Sequence, residues 1–182
     1  MKKVLMIVML AFPGITAQAQ SNSLLVYGNL EINSSKSGAG VKTNKFAFSP
    51  AVGYQWNDHW TGGVNLRTET WKEGAPKVKT TSLGAGPFVR YAYPLSDIFA
   101  VYGQLNANYF SGKTAGVKSA GFESTLFPAI GVNLKNGFAL NFTFGSLSFV
   151  STKIKGQSDN DNAFGLNFGS GAGFGISKNF GL

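Results

Sequence analysis

The sequence predicts an all-β protein, an eight-stranded antiparallel up-and-down transmembrane β-barrel. Three observations predict it. Beyond residue 20 apolar residues recur with period two, the period of a strand. The links between the alternating segments are short and long by turns. The chain also has few charges (13%) and no Cys, yet holds 24 Gly and 16 Phe, against a usual Gly share of about 7%. A small exported domain without disulfides needs another source of stability, and a closed hydrogen-bonded cylinder in lipid supplies one.

The N-terminus is read first, because it is expected to be removed. Lys2 and Lys3 precede an apolar run from Val4 to Phe12, and Ala17-Gln18-Ala19 offers the small-x-small pattern of a signal-peptidase site. Residues 1–19 therefore read as a Sec-type signal peptide and 20–182 as one domain. The apolar run is too short to cross a bilayer as a helix, which takes roughly 20 residues. Without Lys2 and Lys3 the formal charge falls from +8 to +6 (8 − 2). No compact Lys/Arg run accompanies that surplus, so an anionic lipid surface is the expected partner and nucleic acid is not.

The first segment, Leu24–Asn33, sets Val26, Gly28, Leu30 and Ile32 against Tyr27, Asn29 and Glu31. The second, Asn44–Trp56, sets Phe46, Phe48, Val52, Tyr54 and Trp56 against Lys45, Ala47, Ala51 and Gly53. After the turn Asn57-Asp58, His59–Trp71 sets Trp60, Val64 and Leu66 against Thr61, Asn65, Arg67 and Glu69. Thr80–Tyr93 sets Leu83, Val89, Tyr91 and Tyr93 against Ser82, Gly86, Phe88 and Arg90. Past the turn 94–97, Ile98–Phe110 sets Phe99, Leu105 and Tyr109 against Tyr102, Gln104, Asn106 and Asn108. Gly121–Leu134 sets Phe122, Leu126 and Ile130 against Glu123, Thr125 and Phe127. Asn136-Gly137 is a hairpin signal. Phe138–Val150 keeps phase through Phe144. Leu147 and Phe149 then break it, which points to a bulge near Gly145. Ala163–Phe180 sets Phe164, Leu166, Phe168, Phe174 and Ile176 against a face rich in Gly.

Links 34–43, 72–79, 111–120 and 151–162 are long and polar, and the other three are short. Long loops on one side and short turns on the other are the pattern of outer-membrane barrels. An even strand number puts both termini on the short-turn side. The large apolar face then meets lipid and the small polar face lines the interior. Glu31, Lys45, Arg67, Glu69, Arg90 and Glu123 fall on the inner face and are expected to form a polar network in the lumen. Trp56, Trp60, Trp71, Tyr91, Tyr93 and Tyr109 are expected at the two membrane interfaces, where amphipathic rings settle.

These features together resemble the outer-membrane β-barrel family of Bacteroidota, akin in architecture to small OmpX/OmpA-like barrels. The resemblance is carried by the Ala17-Gln18-Ala19-Gln20 junction, the alternating segments from Leu24 onward, and the Gly- and Phe-rich end Phe164–Phe180. It implies an outer-membrane location and assembly by the barrel-assembly machinery, and it names no ligand. Members usually end on an aromatic residue; here Phe180 is followed by Gly181-Leu182.

The chemistry motifs are weak. The single His59 sits at a short turn with no Ser or acid placed to form a nucleophile–base pair. Asp159-Asn160-Asp161-Asn162 lacks the spaced ligands and final Glu of a calcium loop. The alternate glycines Gly169 to Gly175 precede no helix, so they fail as a nucleotide loop. No enzyme, metal or cofactor is expected. Eight strands enclose a space that side chains fill, which favours a charge network over an ion path. The expected role is a monomeric structural or surface-interaction protein. Its four long extracellular loops, rich in Lys36, Lys42, Lys72, Lys77, Lys79, Lys113, Lys118, Lys153 and Lys155, would face lipopolysaccharide. Two alternatives stay open: a small channel or transporter for a narrow or hydrophobic solute, and a secreted soluble lipid-binding barrel.

Overall fold

Eight long strands close into one antiparallel barrel in sequence order. The structure, a computed structural model, describes residues 22–182 other than 38–40 and 75–76; the predicted signal peptide lies outside the described residues. The strands are β1 (Ser23–Lys36), β2 (Lys42–Gln55), β3 (Trp60–Gly74), β4 (Lys77–Pro94), β5 (Phe99–Thr114), β6 (Val117–Asn133), β7 (Phe138–Ile154) and β8 (Asp161–Gly181). Each is longer than the roughly 9–11 residues that cross a bilayer.

The predicted facing holds strand by strand. Leu30, Phe48, Val64, Leu83, Leu105, Leu126 and Ile176 all point outward and are exposed. The opposite phase, including Leu25, Tyr27, Phe88, Tyr102, Gln104 and Asn141, is buried inside. An apolar exterior around a polar interior is the inverse of a water-soluble barrel and suits lipid.

The short turns form as expected. Asn136 (φ 62°) and Gly137 (φ 74°) adopt the left-handed conformation that an Asn-Gly hairpin turn requires. Asn57 Oδ1 accepts from the amides of His59 and Trp60 and fixes the β2–β3 turn.

The long links differ from expectation. The strands continue into them, so that β5 and β6 pair as far as Thr114↔Val117 and β3 and β4 as far as Gly74↔Lys77. Polar residues carry no burial signal, yet backbone pairing needs none. The predicted loops 72–79 and 111–120 are therefore mainly β-hairpin arms.

The phase break in the seventh segment is a bulge. Between Ala129↔Thr143 and Leu126↔Leu147, β7 advances four residues while β6 advances three. A larger one lies on β8. Between Thr143↔Gly173 and Gly145↔Phe168, β8 advances five residues (173 − 168) against two on β7 (145 − 143). Gly169 stands there at φ 73°, a conformation that disfavours other residues.

Candidate functional site

The interior has two levels. The lower one, toward the short turns, is a packed plug. Gln104 on β5 is fully buried. Its Oε1 accepts from Arg90 Nε (2.8 Å), and its Nε2 donates to Tyr27 Oη (2.5 Å) and Asn106 Oδ1 (2.8 Å). The Arg90 guanidinium lies 4.2 Å from the Tyr102 ring centroid and 4.9 Å from that of Tyr27. Two aromatic faces thus stabilise the one buried cation of this level. Tyr102 Oη donates to Asn141 Oδ1 (3.0 Å), and Asn141 Nδ2 donates to Ser177 Oγ (2.9 Å). Phe88 packs edge-on against Tyr27, with ring centroids 5.5 Å apart. It also lies over Gly53 and Gly63, where a Cβ would come within 2.7 Å of its ring. The chain therefore places glycine where the large ring needs room.

Above the plug the interior opens into a cup. On β1 and β3 the inward-facing residues change from buried to exposed going up: Tyr27, Asn29, Glu31 on β1, and Asn65, Arg67, Trp71 on β3. Arg67 Nη1 donates to both oxygens of Glu123 (2.5 and 2.6 Å), and its Nη2 donates to Glu69 (2.6 Å). Lys45 and Glu31 form a separate, more exposed pair at 3.0 Å.

The six residues expected to share one polar network therefore fall into three groups. Arg67, Glu69 and Glu123 meet across the lumen. Glu31 and Lys45 pair on neighbouring strands. Arg90 lies below both and binds neutral partners. The register explains the split, since Arg67 and Arg90 are separated along adjacent strands by the pairing Thr61↔Arg90.

Five of the six expected interface aromatics, Trp56, Trp60, Tyr91, Tyr93 and Tyr109, are exposed on the outer face. Trp60 and Tyr91 pack edge to face, and the His59 ring stacks on Tyr91 and Tyr93 at the short-turn rim. Trp71 does not join them. The β3–β4 register runs without a shift from Trp60↔Tyr91 to Gly74↔Lys77, so Trp71 shares the face of Arg67 and Glu69. It stands at the mouth of the cup. Proximity to a segment end suggested an interface ring; strand parity decides against it.

Strand parity in the sequence places Tyr27, Tyr102 and Gln104 on the inner face but does not mark them as the plug. The usable signal was polar or aromatic bulk on an otherwise small inner face.

The hairpin arms carry a pattern of their own. The register sets Lys36 opposite Lys42, Lys72 opposite Lys79 and Lys113 opposite Lys118. Parity puts all six on the outer face, above the apolar band. None joins an ion pair among the described residues. Like charges directly opposite in a sheet are destabilising, and an anion between them removes that cost.

Comparison with known proteins gives one family. Residues 5–182 match the family model described as outer membrane protein beta-barrel domain. No curated protein matches the chain. Among solved structures it is similar to OprG from Pseudomonas aeruginosa (14% identity, TM-score 0.49, covering 89% of this chain and 97% of that one). It is also similar to Neisserial surface protein A (14%, TM-score 0.48, 88% and 98%).

Proposed function

This chain belongs to the outer membrane protein beta-barrel domain family, and on that premise we propose that it anchors a basic, hairpin-bearing surface in the outer membrane, in contact with lipopolysaccharide. The observation that carries the reading is the three opposed lysine pairs. They face outward at the height where the apolar band gives way to headgroups. Phosphate groups seated between the paired ammoniums would offset their repulsion. The plug supports the same reading, because it leaves the arms and the rim as the surfaces open to partners.

The test is retention of the detergent-solubilised barrel on immobilised lipopolysaccharide. Reversing one lysine of each pair, Lys36→Glu, Lys72→Glu and Lys113→Glu together, should lower retention several-fold at low salt. Unchanged retention would sink the reading. No catalytic role is part of it.

The finer placement, a monomeric Bacteroidota barrel exported through the Sec pathway and inserted by the assembly machinery, belongs to the same proposal. It rests on the Ala17-Gln18-Ala19 junction and the Gly- and Phe-rich end. N-terminal sequencing of the mature protein should begin at Gln20; retention of Met1 would contradict it.

A further inference from the structure

The outer face of β5, β6 and β7 is graded from charged to apolar. The registers align the three strands in rows. The top row sets Lys113 opposite Lys118. Lys155 N donates to Lys118 O (2.9 Å), which places Lys155 on the other side of Lys118. The next row down is Ser111, Ala120 and Lys153. Below it come Tyr109, Phe122 and Ser151, then Ala107, Ser124 and Phe149. Leu105, Leu126 and Leu147 continue the descent into the apolar band.

Four lysines therefore share two rows on three neighbouring strands. Adjacent strands lie about 4.8 Å apart, and residues two apart on one strand about 7 Å. All four lysines are exposed. None joins an ion pair among the described residues. The acids nearby are turned away. Both oxygens of Glu123 are held by Arg67 inside the barrel. Asp161 pairs with Thr152, on the inner parity of β7. Asp159, at the β7–β8 tip, forms no ion pair among the described residues.

The rings below the lysines distinguish this sector. Tyr109, Phe122 and Phe149 are exposed on the outer face, and Tyr109 stands directly opposite Phe122. The Lys72–Lys79 pair stands instead above Thr70, Thr81 and Thr68, with no ring beneath it until the apolar band. A lysine pair over threonines offers charge alone. The β5–β7 face offers charge, then a shelf of small side chains, then rings that a hydrocarbon chain can cover.

We propose that this face of β5–β7 is a site for one molecule of a glycolipid that carries two phosphate groups. The proposal rests on the lipopolysaccharide reading above and narrows it to one sector. A phosphate monoester carries a charge of about −1.5 to −2 at neutral pH, so two such groups match four ammoniums. One phosphate lies between Lys113 and Lys118, the other between Lys153 and Lys155. The small residues Ser111 and Ala120 leave room for the sugar, and the acyl chains descend over Tyr109, Phe122 and Phe149. The contacts are direct charge-assisted hydrogen bonds, so no divalent cation is needed to bridge lipid and protein.

The experiment is native mass spectrometry of the folded, detergent-solubilised barrel with lipid A as the probe, in its two-phosphate, one-phosphate and phosphate-free forms. Gel mobility of unboiled samples confirms the fold of each variant. Wild type should hold one molecule of the two-phosphate form in the presence of a chelator, the one-phosphate form several-fold less, and the phosphate-free form least. Lys118→Glu/Lys155→Glu should lower occupancy several-fold. Lys72→Glu/Lys79→Glu, the same change of charge over threonines, should leave most of it. Phe122→Thr, with every lysine intact, should also weaken binding, and inorganic pyrophosphate should not displace the lipid at equal concentration. Equal losses from the two double variants would overturn the site and leave the broader reading standing, since the lysines would then act as an unselective collar. No binding of lipid A or of whole lipopolysaccharide to wild type would overturn both. Equal binding of the one- and two-phosphate forms, loss of binding in chelator, an unaffected Phe122→Thr, or ready displacement by pyrophosphate would each overturn the proposal.

Discussion

Gln104 decides more of the interior than any other residue. It has no exposure, and it receives Arg90 while donating to Tyr27 and Asn106. A hydrogen bond to a buried charged group contributes about 1.5–3 kcal/mol. Gln104→Leu keeps much of the volume and removes those bonds, leaving the Arg90 Nε without its acceptor. The variant should lose about 1–3 kcal/mol of stability, read as a lower temperature at which the folded, fast-migrating gel form disappears. Gln104→Glu keeps an acceptor for Arg90 and should recover part of the loss. An unchanged transition in Gln104→Leu would mean that the plug is not held by this residue. The position was legible as inward from strand parity. Its partners were not, because Tyr27 lies 77 residues away in sequence and closure of the barrel brings them together.

At the scale of the element, the hairpin arms matter most. A lysine opposed by a lysine on the same face is a liability in the isolated protein and an asset beside anionic headgroups. The two consequences have opposite signs. In detergent without lipopolysaccharide, Lys72→Glu replaces repulsion of Lys79 by attraction and should raise stability by about 0.2–1 kcal/mol. Equilibrium unfolding in urea at low salt reads the change, and added salt should shrink it. A destabilised Lys72→Glu would show that the pair is not under repulsion. The arms were only half legible. The sequence marks residues 72–79 and 111–120 as polar links, because polar alternation has no apolar stripe to expose it. The Asn136-Gly137 turn was fully legible, since its left-handed conformation is a property of those two residues. The bulge at Gly145 was legible as a break in phase. The larger one near Gly169 was hidden, because Phe168 and Phe174 keep the same parity across it.

For the whole molecule, the outward apolar face and the inward polar face follow from period two alone, and the alternation of link lengths fixes strand number and topology. The join of β1 to β8, which pair from Ser23↔Gly181 to Asn29↔Gly175, does not follow from either. It depends on how the last strand meets the first one after the cylinder has curled round, which no local pattern records. Together the plug and the cup define a barrel that is packed below and open above. On the proposed reading, function resides on this outer half and no water-filled path crosses the lumen. Planar-bilayer recording on the folded protein, its fold verified by heat-modifiable gel mobility, tests this most directly. Wild type should give current indistinguishable from the bare bilayer. Stable single-channel steps that depend on folded protein would contradict it and make the lumen, with Arg67 and Arg90 along its axis, the working part of the molecule.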